Sequence, residues 1–324
     1  MTDSSFRSAV INQDMQACQK FYSQNLSDAE LVQILYDLLL CSVSVKQSTI
    51  KDLHPVCVLN SIKNLIGDDR ENPSKRLLEF ASNYLFGFEF RDDDEIQLDD
   101  VVRDGVGLTA FLGDLEDACQ QGEWEDLQKL TAKTFIASDR SRGTMDAFAE
   151  LGLQDCKRNA IFIFHLLRAY QFQEVKDDNW VFTKCILEWL CGQVLPEPHS
   201  QTDSSPSEVH NMMIESGDLS LFGAVSRLWD GDYVRIRGYQ REMSYWCSQN
   251  IFTTLNIEPN LNHWILKDKK RKFIHEAESI VQSQKSQSVK ANKLVILDAV
   301  RSLLKTTSPT QFGILGARLD QLIR

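Results

Sequence analysis

HPVCVLNSIKNLIG, at residues 54–67, is matched 105 positions later (159 − 54) by NAIFIFHLLRAYQF, at residues 159–172. The first segment carries His54-x5-Asn60 and the second carries Asn159-x5-His165, so the two polar residue types are exchanged. Apolar residues surround both pairs, which is the pattern of a largely buried helix. The chain is therefore predicted to contain the same helical unit twice.

The match extends to both sides of this helix. Residues 12–20 align with residues 121–129 at an offset of 109, and residues 84–87 align with 189–192 at an offset of 105. Amphipathic helical periodicity also runs through residues 28–40, 75–85, 181–190 and 294–304. We predict an all-α fold, a duplicated bundle of helical hairpins with about four helices in each copy and a C-terminal helical segment.

Composition shifts along the chain divide it into five parts. The stretch LPEPHSQTDSSPS at 195–207 is rich in Pro and Ser, as linkers are. The predicted parts are a first helical repeat, an acidic connector, a second helical repeat, a linker and a C-terminal helical segment, at residues 1–90, 91–117, 118–194, 195–210 and 211–324.

Composition also favours a compact soluble protein. The chain has 324 residues, of which 43% are hydrophobic, and only 7 prolines. Its start, MTDSSFRSA, lacks the apolar core of a signal peptide, and no apolar run approaches the roughly 18 residues of a membrane span. Eight scattered cysteines form no CxxC pair, which is typical of reduced thiols. We predict a cytoplasmic protein that does not bind membranes.

The net charge of −11 is concentrated in one region. Residues 86–126 hold 14 acids against Arg91 and Arg103, and we interpret this run as solvated loops between helices. A short basic cluster at 267–272 is expected to contact it, within or between chains. The overall acidity argues against a nucleic-acid partner.

The exchanged polar residues supply the first candidate site. His54 precedes Pro55 and is predicted to cap a helix, as is Asn159, whereas Asn60 and His165 fall inside helices. A buried imidazole needs a hydrogen-bond partner, a metal or a cofactor. If the copies pack about a pseudo-twofold axis, Asn60 and His165 face each other. We therefore take His165 and Asn60 as candidate cofactor-binding residues, and His54 and His165 as candidate metal ligands.

A second candidate lies in the aromatic and arginine-rich stretch at 229–246. On a helix, Arg237 and Arg241 share one face, while Tyr239, Met243 and Trp246 line another. Guanidinium groups beside flat rings suit an anionic ligand, so Arg237, Arg241 and Trp246 join the cofactor-binding candidates. The alternative is that the aromatics pack on the core and the arginines contact the acidic segment.

HPVCVLN within a duplicated helical body resembles poorly characterised bacterial helical modules, some of which accompany Rieske-type ferredoxin domains. The resemblance covers residues 9–195, with His54 and Asn60 matching its motif, and implies a redox or small-molecule setting. The second copy departs from it by inverting the two residues, and no Rieske cysteine–histidine motif occurs.

Two classes of function follow from these features. The chain has no phosphate loop, nucleophile elbow or dinucleotide fingerprint, so hydrolases, kinases and NAD-dependent enzymes are disfavoured. We predict an interaction or ligand-binding scaffold whose partner is a protein or a small molecule. The alternative is a metal- or haem-dependent oxidoreductase with a buried site between the repeats. The sequence assigns neither a cofactor nor an oligomeric state.

Overall fold

The computed structural model describes residues 5–23, 25–105, 111–172, 175–249, 257–267 and 270–324. In these ranges the chain forms seventeen α-helices and no β-strand, apart from one isolated bridge between Val45 and Phe90. The predicted all-α class is confirmed. No helix within these ranges is long and apolar enough to cross a membrane.

The helices fall into three consecutive groups. The first has five members, where the sequence predicted about four: α1 (Ser5–Ile11), α2 (Met15–Tyr22), α3 (Asp28–Val43), α4 (Pro55–Ile66) and α5 (Lys75–Leu85). The second has six: α6 (Asp94–Asp104), α7 (Leu112–Gln121), α8 (Trp124–Ala137), α9 (Gly143–Leu153), α10 (Cys156–Tyr170) and α11 (Asn179–Leu190). The third also has six: α12 (Pro206–Ser216), α13 (Leu219–Trp229), α14 (Ile236–Gln249), α15 (Lys270–Gln282), α16 (Gln287–Leu303) and α17 (Phe312–Ile323).

One of the two predicted caps is confirmed. Pro55 is the first residue of α4, and the His54 ring accepts a hydrogen bond from the Val56 amide at 3.2 Å. The prediction for Asn159 is wrong, because Asp155 caps α10 and accepts a hydrogen bond from the Arg158 amide at 3.2 Å. Asn159 lies in the first turn instead, and its amide donates to the Gly152 carbonyl at 3.0 Å.

The acidic segment is not the set of solvated loops that its charge suggested. Much of it forms α6 and α7, and Asp94 is buried. Leu98 and Val101, three residues apart on α6, pack into a small second core with Ala132, Phe135 and Trp180. Two apolar residues spaced three positions apart therefore give α6 a buried face, although the composition of the segment is strongly acidic.

The predicted contact between the acidic segment and the basic cluster is absent from the described residues. Arg271 lies 4.0 Å from Asp69 on the turn after α4, and Lys267 is exposed. Asp268 and Lys269 lie outside the described residues. The acidic segment instead contacts the arginine-rich stretch, through an ion pair between Glu116 on α7 and Arg235.

Four helices form the centre of the molecule. α4 packs against α10, α10 against α13, α13 against α16, and α16 against α4, which closes a four-helix bundle. Two of these helices come from the C-terminal segment, so that segment completes the core that the first two groups begin. Gly223 on α13 meets Ala299 on α16 so closely that a Cβ added at Gly223 would lie 2.9 Å from the Ala299 Cβ.

The Pro- and Ser-rich linker is hydrogen-bonded to α7 and α14. The Gln120 side chain donates hydrogen bonds to the carbonyls of Leu195 and Pro196, at 3.3 and 2.7 Å. Further along, the Thr202 hydroxyl donates to the Ser244 carbonyl at 2.8 Å. The irregular stretch between α11 and α12 therefore follows a defined path.

Candidate functional site

Asn60 and His165 meet inside the central bundle, as the sequence predicted for packed copies. The Asn60 amide nitrogen lies 2.8 Å from the His165 Nδ1, and both side chains are buried. Asn60 sits on α4 and His165 on α10, where apolar neighbours hold both helices against each other. With the amide donating, Nδ1 is the acceptor, and the ring proton of the neutral imidazole is on Nε2. The contact satisfies the buried imidazole with a protein partner.

Burial keeps both central histidines neutral. Burial, the largest cause, and the positive charge of Arg227 together lower the pKa of His165 to about 3, against the opposing charge of Asp298. Burial likewise lowers the pKa of His54 to about 3, with a smaller contribution from Arg91. Neither ring acts as a base or a cation near neutral pH.

The geometry around His54 differs from that of a metal ligand. Its Nδ1 accepts the Val56 amide proton, and its Nε2 lies 3.4 Å from the Cys185 thiol. The ring packs against Phe162 and Trp189. In the described ranges no three His, Cys, Asp or Glu side chains converge as a metal site would require. Metal binding by His54 and His165 stays a prediction.

The arginine and aromatic candidates lie on α14, away from the histidine pair. Tyr239 and Met243 are fully buried and Trp246 nearly so, so the predicted aromatic stripe packs on the core. Arg241 bonds Glu150 at 3.0 Å and Glu242 at 2.8 Å, and Arg237 is exposed. None of Arg237, Arg241 and Trp246 lines the cavities described next.

Two adjoining cavities open beside the polar interior of the bundle. Their volumes are about 590 and 240 Å³, and they share Asn64, Arg168 and Arg301 as lining residues. We call them the large and small lobes of the cationic pocket. Six bases line the two lobes together: Lys63, Arg70, Arg168, Arg227, Arg301 and Lys305. Only three acids do so: Asp28, Asp230 and Asp232.

An ion network forms the floor of this pocket. Arg227 on α13 donates to Asp298 on α16 at 2.8 Å, and its guanidinium lies 3.8 Å from the centre of the Phe164 ring. Arg301 donates two hydrogen bonds to the Asp68 carboxylate, at 2.7 and 3.0 Å. Burial raises the pKa of Asp298, but Arg227 and Arg301 outweigh it and hold the pKa below its usual range.

This network is incompletely bonded within the described part of the chain. The Nη2 of Arg227 and the hydroxyl of Ser226 are buried and have no hydrogen-bond partner there. Both residues line the large lobe. Lys63, Arg70, Arg168 and Lys305 form no ion pair with a described carboxylate. The pocket is therefore lined by positive charge that no described carboxylate pairs, next to buried donors without a described acceptor.

None of the residues that line the cationic pocket was predicted from the sequence as a site residue. The available signal was on α4, where Asn60, Lys63 and Asn64 share one face of an otherwise apolar helix. Asn64 donates to Asp298 at 3.1 Å and so joins that face to the ion network. Arg227 lies on α13, whereas Asp298 and Arg301 lie three residues apart on α16, and the closed bundle brings the two helices together.

Comparison of the chain with protein-family models, with curated proteins and with solved structures found no match.

Proposed function

We propose that this protein is a helical ligand-binding protein whose cationic pocket holds a small molecule bearing a phosphate or carboxylate group. The observation that carries the proposal is the excess of bases around one concave site in a chain of net charge −11. Surface bases of an acidic protein are ordinarily dispersed among acids. Here four of them converge without a described carboxylate partner.

The chemistry of the lining suits an oxyanion. Arg168 is exposed and lines both lobes, and the buried Nη2 of Arg227 has no hydrogen-bond partner among the described residues. Charge-assisted hydrogen bonds from guanidinium to phosphate or carboxylate are among the strongest that proteins make. Phe164 and Tyr233, in the same large lobe, supply apolar surface for the rest of the ligand.

Calorimetric titration with inorganic phosphate and pyrophosphate at low ionic strength tests this proposal. Arg168→Gln removes one unpaired charge, and we expect its affinity for pyrophosphate to fall about tenfold, or about 1.4 kcal/mol. Arg158→Gln is the matched control, because Arg158 is exposed on the same helix and lines neither lobe. No binding by the wild type, or an equal loss in both variants, would contradict the proposal.

We also propose that α1–α5 and α7–α11 are two copies of one unit. The packing of α1 with α2 and α3, of α3 with α4 and α5, and of α4 with α5 recurs among α7–α11 in the same order. Asp37 and Asp146, aligned at an offset of 109, are both fully buried and each bonds an arginine. The contact between Asn60 and His165 joins aligned positions of the two copies.

The alternative of a metal- or haem-dependent oxidoreductase has its own test. Elemental analysis and a visible spectrum of the purified protein report any bound metal or haem. A stoichiometric metal whose retention depends on His165 would favour the oxidoreductase. A colourless, metal-free protein that binds pyrophosphate would favour the ligand-binding role.

A further inference from the structure

Lys63 occupies an unusual place for a lysine. Its side chain is 92% buried on α4, and its ammonium nitrogen lies 5.0 Å from the centre of the Phe172 ring. It lines the small lobe of the cationic pocket together with Arg70, Arg168 and Arg301. Buried lysines are ordinarily paired with a carboxylate, and Lys63 has no such pair among the described residues.

In this environment Lys63 loses its proton more readily than an exposed lysine does. Burial, the largest cause, and the charges of Arg168, Arg227 and Arg301 together lower the pKa of Lys63 to about 7, against the opposing charge of Asp298. A substantial fraction of the molecules then carries a neutral amine at pH 7. An exposed lysine is neutral at that pH in fewer than one molecule in about a thousand.

We propose that Lys63 is a nucleophilic amine that forms an imine with an aldehyde or ketone bearing a carboxylate or phosphate group. The small lobe gives such a molecule access to Lys63, and Arg168 and Arg301 lie where they can hold its oxyanion. This inference rests on the proposed function, since the oxyanion is what brings the carbonyl to the amine. It assigns that ligand a chemical class, of which the 2-oxo acids are the simplest members.

The step balances with water as its only by-product. The lone pair of the neutral Lys63 amine attacks the carbonyl carbon, and the π electrons of the C=O bond move to oxygen. A proton passes from nitrogen to oxygen through solvent to give a carbinolamine. Loss of water then forms the C=N bond, and protonation of that nitrogen gives the iminium. No oxidant or reductant takes part.

Reductive trapping on the whole wild-type chain tests the inference directly. Pyruvate and cyanoborohydride are added at pH 7, because cyanoborohydride reduces an iminium to a stable secondary amine, and peptide mapping then locates the label. We expect label at Lys63 to exceed label at the exposed Lys20 by at least a hundredfold. Label spread over exposed lysines, with Lys63 unmodified, would overturn the inference.

A neutral probe separates this inference from the function on which it rests. Acetone has the ketone of pyruvate with a methyl group in place of the carboxylate. Because Arg168 also lowers the pKa of Lys63, Arg168→Gln is expected to reduce trapping of both probes, and both proposals are supported if the loss is about tenfold greater for pyruvate than for acetone. An equal fractional loss for both probes would support the imine chemistry and contradict the oxyanion site. Pyrophosphate binding without any label at Lys63 would do the reverse.

Discussion

Two of the buried ion networks in the described part of the chain differ in how completely they are bonded. The peripheral network joins the start of α6 to α11. Arg91 bonds Asp94 at 2.7 and 3.2 Å, Glu188 at 3.0 Å and two backbone carbonyls, and Lys184 bonds Asp93 at 2.9 Å. The Trp180 indole donates to the Asp94 carbonyl at 2.6 Å.

The central network, built on Arg227, Asp298 and Arg301, is open by comparison. In the described part of the chain the Arg227 Nη2 lacks a partner, while the Asp298 Oδ1 accepts no hydrogen bond and has Arg301 at 3.6 Å. The peripheral network has no such buried orphan atom among those described. We interpret the saturated network as a stabilising one and propose that the unsaturated one, beside the cationic pocket, contributes to ligand binding.

The largest expected effect is on the saturated network. Arg91→Met leaves Asp94 and Glu188 without their main counter-charge, and we expect the free energy of unfolding to fall by about 3–5 kcal/mol. Urea denaturation measures it. Arg103→Met is the control, because Arg103 is exposed on α6 beside Asp100, and its loss should cost no more than about 1 kcal/mol. Equal costs would remove the distinction between buried and surface pairs here.

The central network is expected to respond differently when both partners are replaced. Arg227→Met alone leaves the Asp298 carboxylate buried, and we expect a loss of about 3 kcal/mol. Adding Asp298→Leu removes that charge, so the double variant should recover at least about 1.5 kcal/mol. It should nevertheless fail to bind pyrophosphate, while Arg91→Met still binds it. Normal pyrophosphate binding by the double variant would show that this pair has no part in recognition.

Most of the difference between the two networks could not be predicted from the sequence. Helical periodicity predicted the all-α class, and the exchanged residues predicted the contact between Asn60 and His165, because both signals are local or depend on one aligned pair. The cationic pocket depends on the packing of α4, α10, α13 and α16, which are not consecutive in the chain. α6 was not predicted, because its acidic composition is typical of solvated loops, although Leu98 and Val101 bury one face of the helix.

A smaller effect is expected at the histidine pair. Asn60→Ala removes the donor to the His165 Nδ1 inside the bundle, and we expect unfolding to become easier by about 1–3 kcal/mol. Asn292→Ala serves as the control, since Asn292 is exposed on α16. Thermal unfolding of both variants gives the comparison. An unchanged midpoint for Asn60→Ala would mean that the contact contributes nothing to stability.

The smallest effect at neutral pH is expected for His54→Asn, which preserves a capping side chain and should cost less than about 1 kcal/mol at pH 7. The stabilities of the wild type and of His54→Asn are expected to diverge at acidic pH. The folded-state pKa of His54 is depressed to about 3, so between pH 6.5 and 3 the unfolded chain binds a proton that the folded chain does not. Wild-type stability should therefore fall relative to the variant by about 1.4 kcal/mol per pH unit below pH 6.5.

Unfolding free energies measured at several pH values test this slope. His275→Asn is the control, because that histidine is exposed on α15. Parallel curves for the wild type and His54→Asn would show that His54 does not titrate differently in the two states.

The close approach of Gly223 to Ala299 has a consequence for the kinetics of binding. Gly223 lies one turn before Arg227 and accepts a hydrogen bond of 2.8 Å from its Nε, and Ala299 follows Asp298. With the two backbones in contact, α13 and α16 cannot slide along each other without a clash, so the floor of the pocket is preorganised before any ligand arrives. We therefore expect association to be a single fast phase whose rate rises linearly with ligand concentration, with no slower rearrangement behind it.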